Sequence, residues 1–394
     1  MRRNYKFRLR PTARQHVALE RCLASHRELY NAALQERRDA WRLSRTAVFY
    51  GDQSAQLKPI RELRPDVAVW SFSSQQATLR RLNRAFAAFS RRLNAGEKAG
   101  YPRFKSPQRF ASVVWPKDGD GCRWQPDTCK VYLKGIGQVK VTVHRQVRGR
   151  LKTIQVRREG RRWMLILSCD QVPTRPLEPT GAVVGIDVGI ASFVTTSDGQ
   201  LVPRSGYARV AAAKLGAAHQ ALARKQRGST NRSRCRATLA ARHRKIANQR
   251  RNFHHHVART LVARYDLLVV EDLRIANMVR RPAARPDPDQ PGRFLPNRAA
   301  AKTGLHRSIH DAGWAQFVSI LRAKAEEAGR VVIGVDARHT SDRCETCGHA
   351  AVENRASQAV FSCRRCGHTA NADEHAARNI LRAGLARLAA ASAA

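Results

Sequence analysis

Two Cys-x2-Cys doublets, Cys344 with Cys347 and Cys363 with Cys366, stand 15 residues apart near the end of this sequence. Each doublet can supply two thiolates from one tight turn, and Gly348 and Gly367 follow where such a knuckle needs a residue tolerant of positive φ. The spacing is that of a two-knuckle zinc ribbon. Four cysteines fill a tetrahedral shell and leave no open position for a reacting water, so one Zn²⁺ held there is structural. His349 and His368 follow the glycines; either could replace a thiolate, but both read first as exposed groups that touch backbone phosphate. Cys22, Cys122, Cys129, Cys169 and Cys235 have no partner doublet and read as small apolar residues of the interior.

A second set of residues is acidic. Gly185-Ile186-Asp187-Val188-Gly189 ends an apolar strand in a carboxylate flanked by glycines, which let another backbone or a substrate come close. Val269-Val270-Glu271-Asp272 repeats the arrangement, and Asn371-Ala372-Asp373 opens a helix that runs from Glu374 to about Leu388. Singly, each acid could equally be a helix cap, an ion-pair partner or a solvated strand end. Together, two acids at strand ends and one in a first helical turn form the set needed to hold two divalent cations beside a scissile phosphate. Mg²⁺ suits hard carboxylate oxygens and completes its octahedron with water and phosphate, with Asp187 the best bridge between two ions about 3.5 to 4 Å apart. The chemistry is phosphodiester hydrolysis. Asp272 and Glu374 point elsewhere by periodicity. His254, His255 and His256 cannot converge on one ion from consecutive helical positions and read as helix surface.

Charge says what the substrate is made of. The 394 residues carry 73 Lys and Arg against 30 Asp and Glu, a formal charge of +43 that implies a polyanionic partner. No apolar run of about 18 residues and no secretory leader pattern points to a membrane, so nucleic acid is the better partner. Between Gly199 and Tyr265 there is no acid at all beside 16 Lys and Arg, most on two helical patterns broken near Gly228 to Asn231; such a pair should lie against phosphate. An odd number of cysteines without a leader fits a reducing cytosol.

The elements that must carry these groups can be read from periodicity. Residues 4 to 10 alternate as a strand, with Tyr5, Phe7 and Leu9 on one face; Thr12 and Gln15 then form a capping box for a long helix into the forties. Leu79, Leu82, Phe86, Phe89 and Leu93 mark a second helix over about 72 to 95. Short β-type runs at Val131 to Leu133, Val139 to Val143 and Trp163 to Ser168 predict a small barrel completed by the N-terminal strand. Three prolines between Val172 and Thr180 mark a linker. Beyond it come a strand from Ala182 to Asp187, a hairpin through Phe193 to Thr196, the basic helices, a buried strand (Leu267 to Val270), a Pro-rich loop (281 to 296), a helix (about 308 to 328) and a strand (Arg330 to Asp336). The order βββ-α-β-α-β-α is that of an RNase H-like domain.

These residues resemble the TnpB family, transposon-encoded proteins formerly called OrfB transposases. The resemblance rests on Gly-Ile-Asp187-Val-Gly, Val-Val-Glu271-Asp-Leu, Asp311-Ala-Gly-Trp314, Thr340-Ser341, the paired Cys-x2-Cys-Gly knuckles and Asn371-Ala-Asp373-x-x-Ala-Ala-Arg-Asn379. It extends to Arg8-Leu-Arg-Pro11-Thr and Gly100-Tyr-Pro-Arg-Phe-Lys105, and so to nearly the whole chain. It implies a multi-domain α+β protein: a wedge-type β-barrel from residues 1–10 and 96–175, an inserted helical recognition lobe over 11–95, and a RuvC-like nuclease over 176–394 with its zinc ribbon at 340–370. It also implies a cytoplasmic, nucleoid-associated enzyme that uses a guide RNA encoded at the transposon end and cuts double-stranded and single-stranded DNA beside a short adjacent motif. Guidance by RNA comes from the resemblance alone. A Pro-rich insert between Met278 and Asp311 is longer than the family leads one to expect. Miniature type V CRISPR effectors share this plan and would be betrayed by a neighbouring repeat array. A nuclease-dead RNA-guided repressor would lack one of the three acids, and neither a DNA transposase nor a junction resolvase needs so large a basic N-terminal half.

Overall fold

The computed structural model describes residues 1–290 and 292–392, so Pro291 of the Pro-rich loop lies outside the described residues. It divides into two compact units, Met1–Pro173 and Thr174–Ala394, and the division falls within the proline-marked linker.

In the first unit β1 (Arg3–Arg10) buries Tyr5, Phe7 and Leu9 and turns its cations outward. Thr12 then caps α1 (Ala13–Ser44): its hydroxyl accepts from the Gln15 N–H, and the Gln15 side chain accepts from the Thr12 N–H. Three short helices follow that periodicity cannot reveal, α2 (Tyr50–Ala55), α3 (Leu57–Leu63) and α4 (Pro65–Ala68), because one or two turns carry too few repeats to show a face. Helix α5 (Phe72–Asn94) is capped by Ser71 and buries Leu79 and Leu82, while Leu93 near its end is exposed. The remaining strands are β2 (Ser112–Trp115), β3 (Cys122–Gln125), β4 (Lys130–Leu133), β5 (Gly137–Thr142), β6 (Arg150–Glu159) and β7 (Arg162–Asp170). They form one antiparallel seven-stranded sheet in the order β2-β6-β7-β1-β5-β4-β3. The N-terminal strand thus sits at the centre of the sheet, between β7 and β5. No pairing joins β2 to β3, so hydrogen bonding among the described residues leaves open the ladder that the sequence led us to expect closed as a barrel.

The second unit opens with β8 (Val183–Asp187), β9 (Ser192–Thr196) and β10 (Leu201–Pro203), an antiparallel meander. Next come α6 (Tyr207–Val210), α7 (Ala212–Ala223) and α8 (Thr230–Arg264), the last capped by Ser229. Strand β11 (Leu267–Glu271) pairs parallel to β8, and after α9 (Ile275–Met278) the Pro-rich loop contains a two-residue hairpin, β12 (Arg285–Pro286) with β13 (Phe294–Leu295). Where one helix was expected at 308 to 328 there are two, α10 (Ala299–Ala312) and α11 (Trp314–Ala328), parted by Gly313 at φ 68°. Strand β14 (Val331–Val335) pairs parallel to β11. A small hairpin, β15 (Val360–Ser362) with β16 (Thr369–Asn371), leads into α12 (Ala372–Ser392). The sheet order is β10-β9-β8-β11-β14.

Both faces of that sheet are covered, which is why four consecutive residues, Leu267 to Val270, are buried. Val184, Ile186, Leu268 and Val270 pack with Leu261 of α8 and Phe317 and Leu321 of α11; Leu267, Val269 and Val335 pack with Ile380 of α12. His254, expected on the surface, is fully buried: its Nε2 donates to the Ala312 carbonyl at 2.9 Å and its ring stacks on Phe193. The basic segment therefore has one face that belongs to the core. Among the described residues no helix is long and apolar enough to cross a membrane.

Helix α12 lies against β8 backbone to backbone, and against the Val269 side chain of β11 through a glycine. A Cβ on Gly185 would collide with the Ala377 carbonyl and come within 2.7 Å of the Leu381 nitrogen, and one on Gly384 would come within 2.5 Å of the Val269 side chain. Gly185→Ala is therefore expected to cost about 1 to 3 kcal/mol by overpacking, measured by urea unfolding, whereas Gly216→Ala, which meets nothing within 4 Å, should leave stability unchanged or raise it.

Candidate active site and metal centre

Strands β8 and β11 are parallel neighbours, so Asp187 and Glu271 emerge side by side at the same edge of the sheet. Asp373 stands in the first turn of α12, and the close seating of that helix on β8 brings its charge near enough to raise the Asp187 carboxyl. Burial, followed by the charges of Glu271 and Asp373, pushes the Asp187 carboxyl up to about 7, against the pull of the Arg355 guanidinium and the Val188 N–H. Burial also raises Glu271, opposed by the Thr340 hydroxyl, which donates to Glu271 Oε1 at 2.5 Å. Three carboxylates repelling one another in a half-buried place make a site of high negative potential, matched to hard cations. The neighbouring acids face away: Asp272 is largely exposed with Arg322 at 3.8 Å, and Glu374 pairs with Arg378 on its own helix.

Two residues beside the triad were invisible to spacing rules. Arg355 Nη2 lies 3.3 Å from Asp373 Oδ1 and the same distance from the Gln358 carbonyl. It sits in the spacer between the cysteine doublets, where no periodicity points to it. Thr340 belongs to a dipeptide noted for its resemblance, but its contact with Glu271 needs the fold to be seen.

The four doublet cysteines converge. All four Sγ atoms lie within 4.8 Å of one another, with Cys344 to Cys366 at 3.7 Å and Cys347 to Cys363 at 3.6 Å. These separations are too long for a disulfide and match the edge of a tetrahedron with metal–sulfur bonds of about 2.3 Å. The two knuckles repeat each other: the first cysteine's N–H donates to the carbonyl of His349 or His368 at 2.8 Å, and the glycine's N–H donates back to that cysteine's carbonyl at 3.0 Å. Gly348 and Gly367 have φ of 73° and 72°. Although desolvation pushes Cys363 upward, the N–H groups of Cys366 and Arg365 and the neighbouring thiols outweigh it and favour its thiolate, and the same shared hydrogen bonds push Cys366 upward, so the thiols of the cluster do not ionise independently. The cluster is thus compatible with a zinc ion. Fully buried Asn354 ties the knuckles together, donating to the carbonyls of Asp342 and His349 and accepting from the Arg364 N–H.

His368 departs from the expected phosphate contact, because its Nε2 bonds Glu345 Oε1 at 3.1 Å. Glu345, His368 and His375 form a second convergent group, but its atoms are already paired: Arg378 reaches Glu345 at 3.1 Å, and the Glu345 N–H donates to His375 Nε2. His375 stacks on Phe361 with ring centroids 3.7 Å apart. This group braces the ribbon on α12. Of the five remaining cysteines, Cys22, Cys122 and Cys169 are buried, and Cys129 and Cys235 are only partly so.

Known proteins resemble this chain in several stretches and, for two of them, along nearly its whole length. Residues 165–281 match the OrfB_IS605 family, described as a probable transposase, and residues 314–380 match the Cas12f1-like TNB domain. Residues 1–45 match a family described as a helix-turn-helix domain, although here they fold as a strand and one unbroken 32-residue helix. The chain is 32% identical to a protein of Escherichia coli (strain K12) named as an RNA-guided DNA endonuclease, InsQ, over 98% of this chain and 93% of that one. It is 31% identical to an RNA-guided DNA endonuclease of Streptomyces pristinaespiralis, over 98% and 90%. A CRISPR-associated Cas12f1 of Sulfoacidibacillus thermotolerans is 58% identical, but over 14% of either chain. On end-to-end similarity, together with its OrfB_IS605 match, the chain belongs to the TnpB family.

Proposed function

We propose that this protein is an RNA-guided DNA endonuclease whose Asp187, Glu271 and Asp373 hold two Mg²⁺ ions and hydrolyse DNA phosphodiester bonds. The observation that carries the reading is the meeting of three carboxylates at one edge of the β8–β11 pair, in a chain of charge +43. Hard carboxylate oxygens within electrostatic reach of one another suit Mg²⁺, which when bound would supply water activation and neutralise the leaving oxygen. The protein's own residues do the rest. Asp187, whose carboxyl burial pushes up to about 7, would hold cations in its ionised form; Thr340 holds the Glu271 carboxylate, and Arg355 is the cation placed to meet phosphate charge beside Asp373.

The same reading takes the seven-stranded sheet as a wedge-type domain (1–10 and 96–175), the helices α1 to α5 as its recognition lobe (11–95), and residues 176–394 as a RuvC-like nuclease. The meander followed by two parallel strands, β10-β9-β8-β11-β14, supports that last assignment. Residues 340–370 are its structural zinc ribbon, bound through Cys344, Cys347, Cys363 and Cys366. The acid-free segment from Gly199 to Tyr265 supplies phosphate contacts for guide RNA and DNA. A transposon end is favoured as the source of the guide over a CRISPR array, because the matched family is described as a probable transposase and the likeness to CRISPR-associated Cas12f1 covers only 14% of either chain.

Purification with the native downstream DNA transcribed, followed by sequencing of bound RNA, should return one discrete species; the absence of any would remove RNA guidance even if Mg²⁺-dependent cutting persisted. Asp187→Ala should abolish cutting and leave RNA and DNA binding intact, and retained cleavage would take Asp187 out of the site. A third expectation comes from proton linkage. The folded Asp187 carboxyl holds its proton up to about pH 7, against about 3.9 in an unfolded chain, so between these values the native state binds more protons and loses stability as pH rises. Asp187→Asn removes that penalty. In magnesium-free buffer it should be more stable than the parent by on the order of 2 to 4 kcal/mol above pH 7, with the gain vanishing below pH 4.

A further inference from the structure

The loop that joins β14 to the first knuckle, residues 336–343, touches two of the three carboxylate-bearing elements at once. His339 adopts a left-handed φ of 62° within it, which turns Thr340 back toward the sheet. Thr340 is 5% exposed. Its hydroxyl has one hydrogen and two acceptors in reach, Glu271 Oε1 at 2.5 Å and the Ala337 carbonyl at 3.0 Å, and the shorter contact with the charged group takes it. From the other side Asn379, 7% exposed on α12, donates through Nδ2 to the carbonyls of Thr340 at 3.0 Å and Arg343 at 2.7 Å. Asn379 stands six residues beyond Asp373 on the same helix, and Arg343 is followed directly by Cys344.

We propose that Thr340 and Asn379 are positioning residues: Thr340 fixes the carboxylate of Glu271, and Asn379 locks the loop to the helix that carries Asp373, joining the cysteine cluster and the triad into one rigid unit. The inference rests on the reading of Asp187, Glu271 and Asp373 as metal ligands. A glutamate at a strand end has three rotatable bonds, and without a partner its carboxylate samples several directions; an ordered donor on one oxygen leaves the other oxygen and the remaining lone pairs aimed into the site. Outer partners of this kind typically govern 10- to 100-fold in metal affinity.

The test uses Mn²⁺ as the probe. The full chain, freed of nucleic acid, is titrated with Mn²⁺ and the free ion is followed by electron paramagnetic resonance, with cleavage by the RNA-loaded protein measured against Mn²⁺ concentration in parallel. Thr340→Val removes the donor at nearly constant volume. It should weaken Mn²⁺ binding by about 10-fold or more and raise the Mn²⁺ needed for half-maximal cleavage to match, while zinc content and melting temperature hold. Thr340→Ser keeps the donor and should stay within about 3-fold of the parent. Thr340→Ala should reproduce the loss and stands in where valine disturbs the fold. Asn379→Ser should weaken Mn²⁺ binding in the same direction. Parent-like Mn²⁺ affinity in a folded Thr340→Val or Thr340→Ala protein would overturn the proposal, as would an equal loss in Thr340→Ser. Asp187→Ala separates the two ideas: if it binds Mn²⁺ as the parent does, the triad is not the metal site and the proposal falls with that reading.

Discussion

Everything at the carboxylate edge depends on how close one helix can come to one sheet. Side chains ordinarily stand between a helix and the strands it covers and keep their backbones apart. Gly185 on β8 and Gly384 on α12 remove the spacers at two points of the contact, and the Ala377 carbonyl occupies the room a Cβ would need. The missing side chains let Asp373 enter a place that β-sheet geometry alone gives only to Asp187 and Glu271. Two residues with no chemistry of their own thus set the distance between three that have it.

That closeness has an electrostatic cost. In a chain where cations outnumber acids by more than two to one, the described structure gathers three acids at one edge and supplies one guanidinium, Arg355, beside them. A fold selected for stability alone would neutralise such a cluster with the abundant arginines. Leaving it undercompensated stores repulsion that a divalent cation would relieve, so on the proposed reading any affinity for metal there and the cost of the cluster to the metal-free protein are the same free energy seen from two sides.

Much of this was legible in the sequence, for identifiable reasons. Asp187 and Glu271 terminate apolar runs, and the knuckle glycines announce their own positive φ; strong local patterns survive into the fold. The capping box at Thr12 and Gln15 is of the same kind. What failed to show depends on long-range partners. His254 looks like surface from its neighbours His255 and His256, yet Phe193 and Ala312, both more than 50 residues away, make it core. The break at Gly313 was missed because helical spacing continues across it. Arg355 and the Thr340 contact belong to a connection with no periodicity, and the place of the N-terminal strand in the middle of its sheet does not show locally because strand order is not a local property.

The position of the cysteine cluster follows from the same dependence on α12. Strand β14 ends at Val335 and α12 begins at Ala372, so 36 residues must be ordered between the sheet and the helix that it receives. A loop of that length with few apolar residues to bury cannot repay its own conformational entropy. A four-thiolate cross-link can, because metal binding to a site absent from the unfolded chain is folding free energy. Asn354 ties the two knuckles together, and the Glu345–His375 contact then transmits their order to the first turn of α12. On this argument the ribbon anchors the 36-residue connection immediately before the third carboxylate, and without that anchor Asp373 would be free to wander from the edge that Gly185 opens to it.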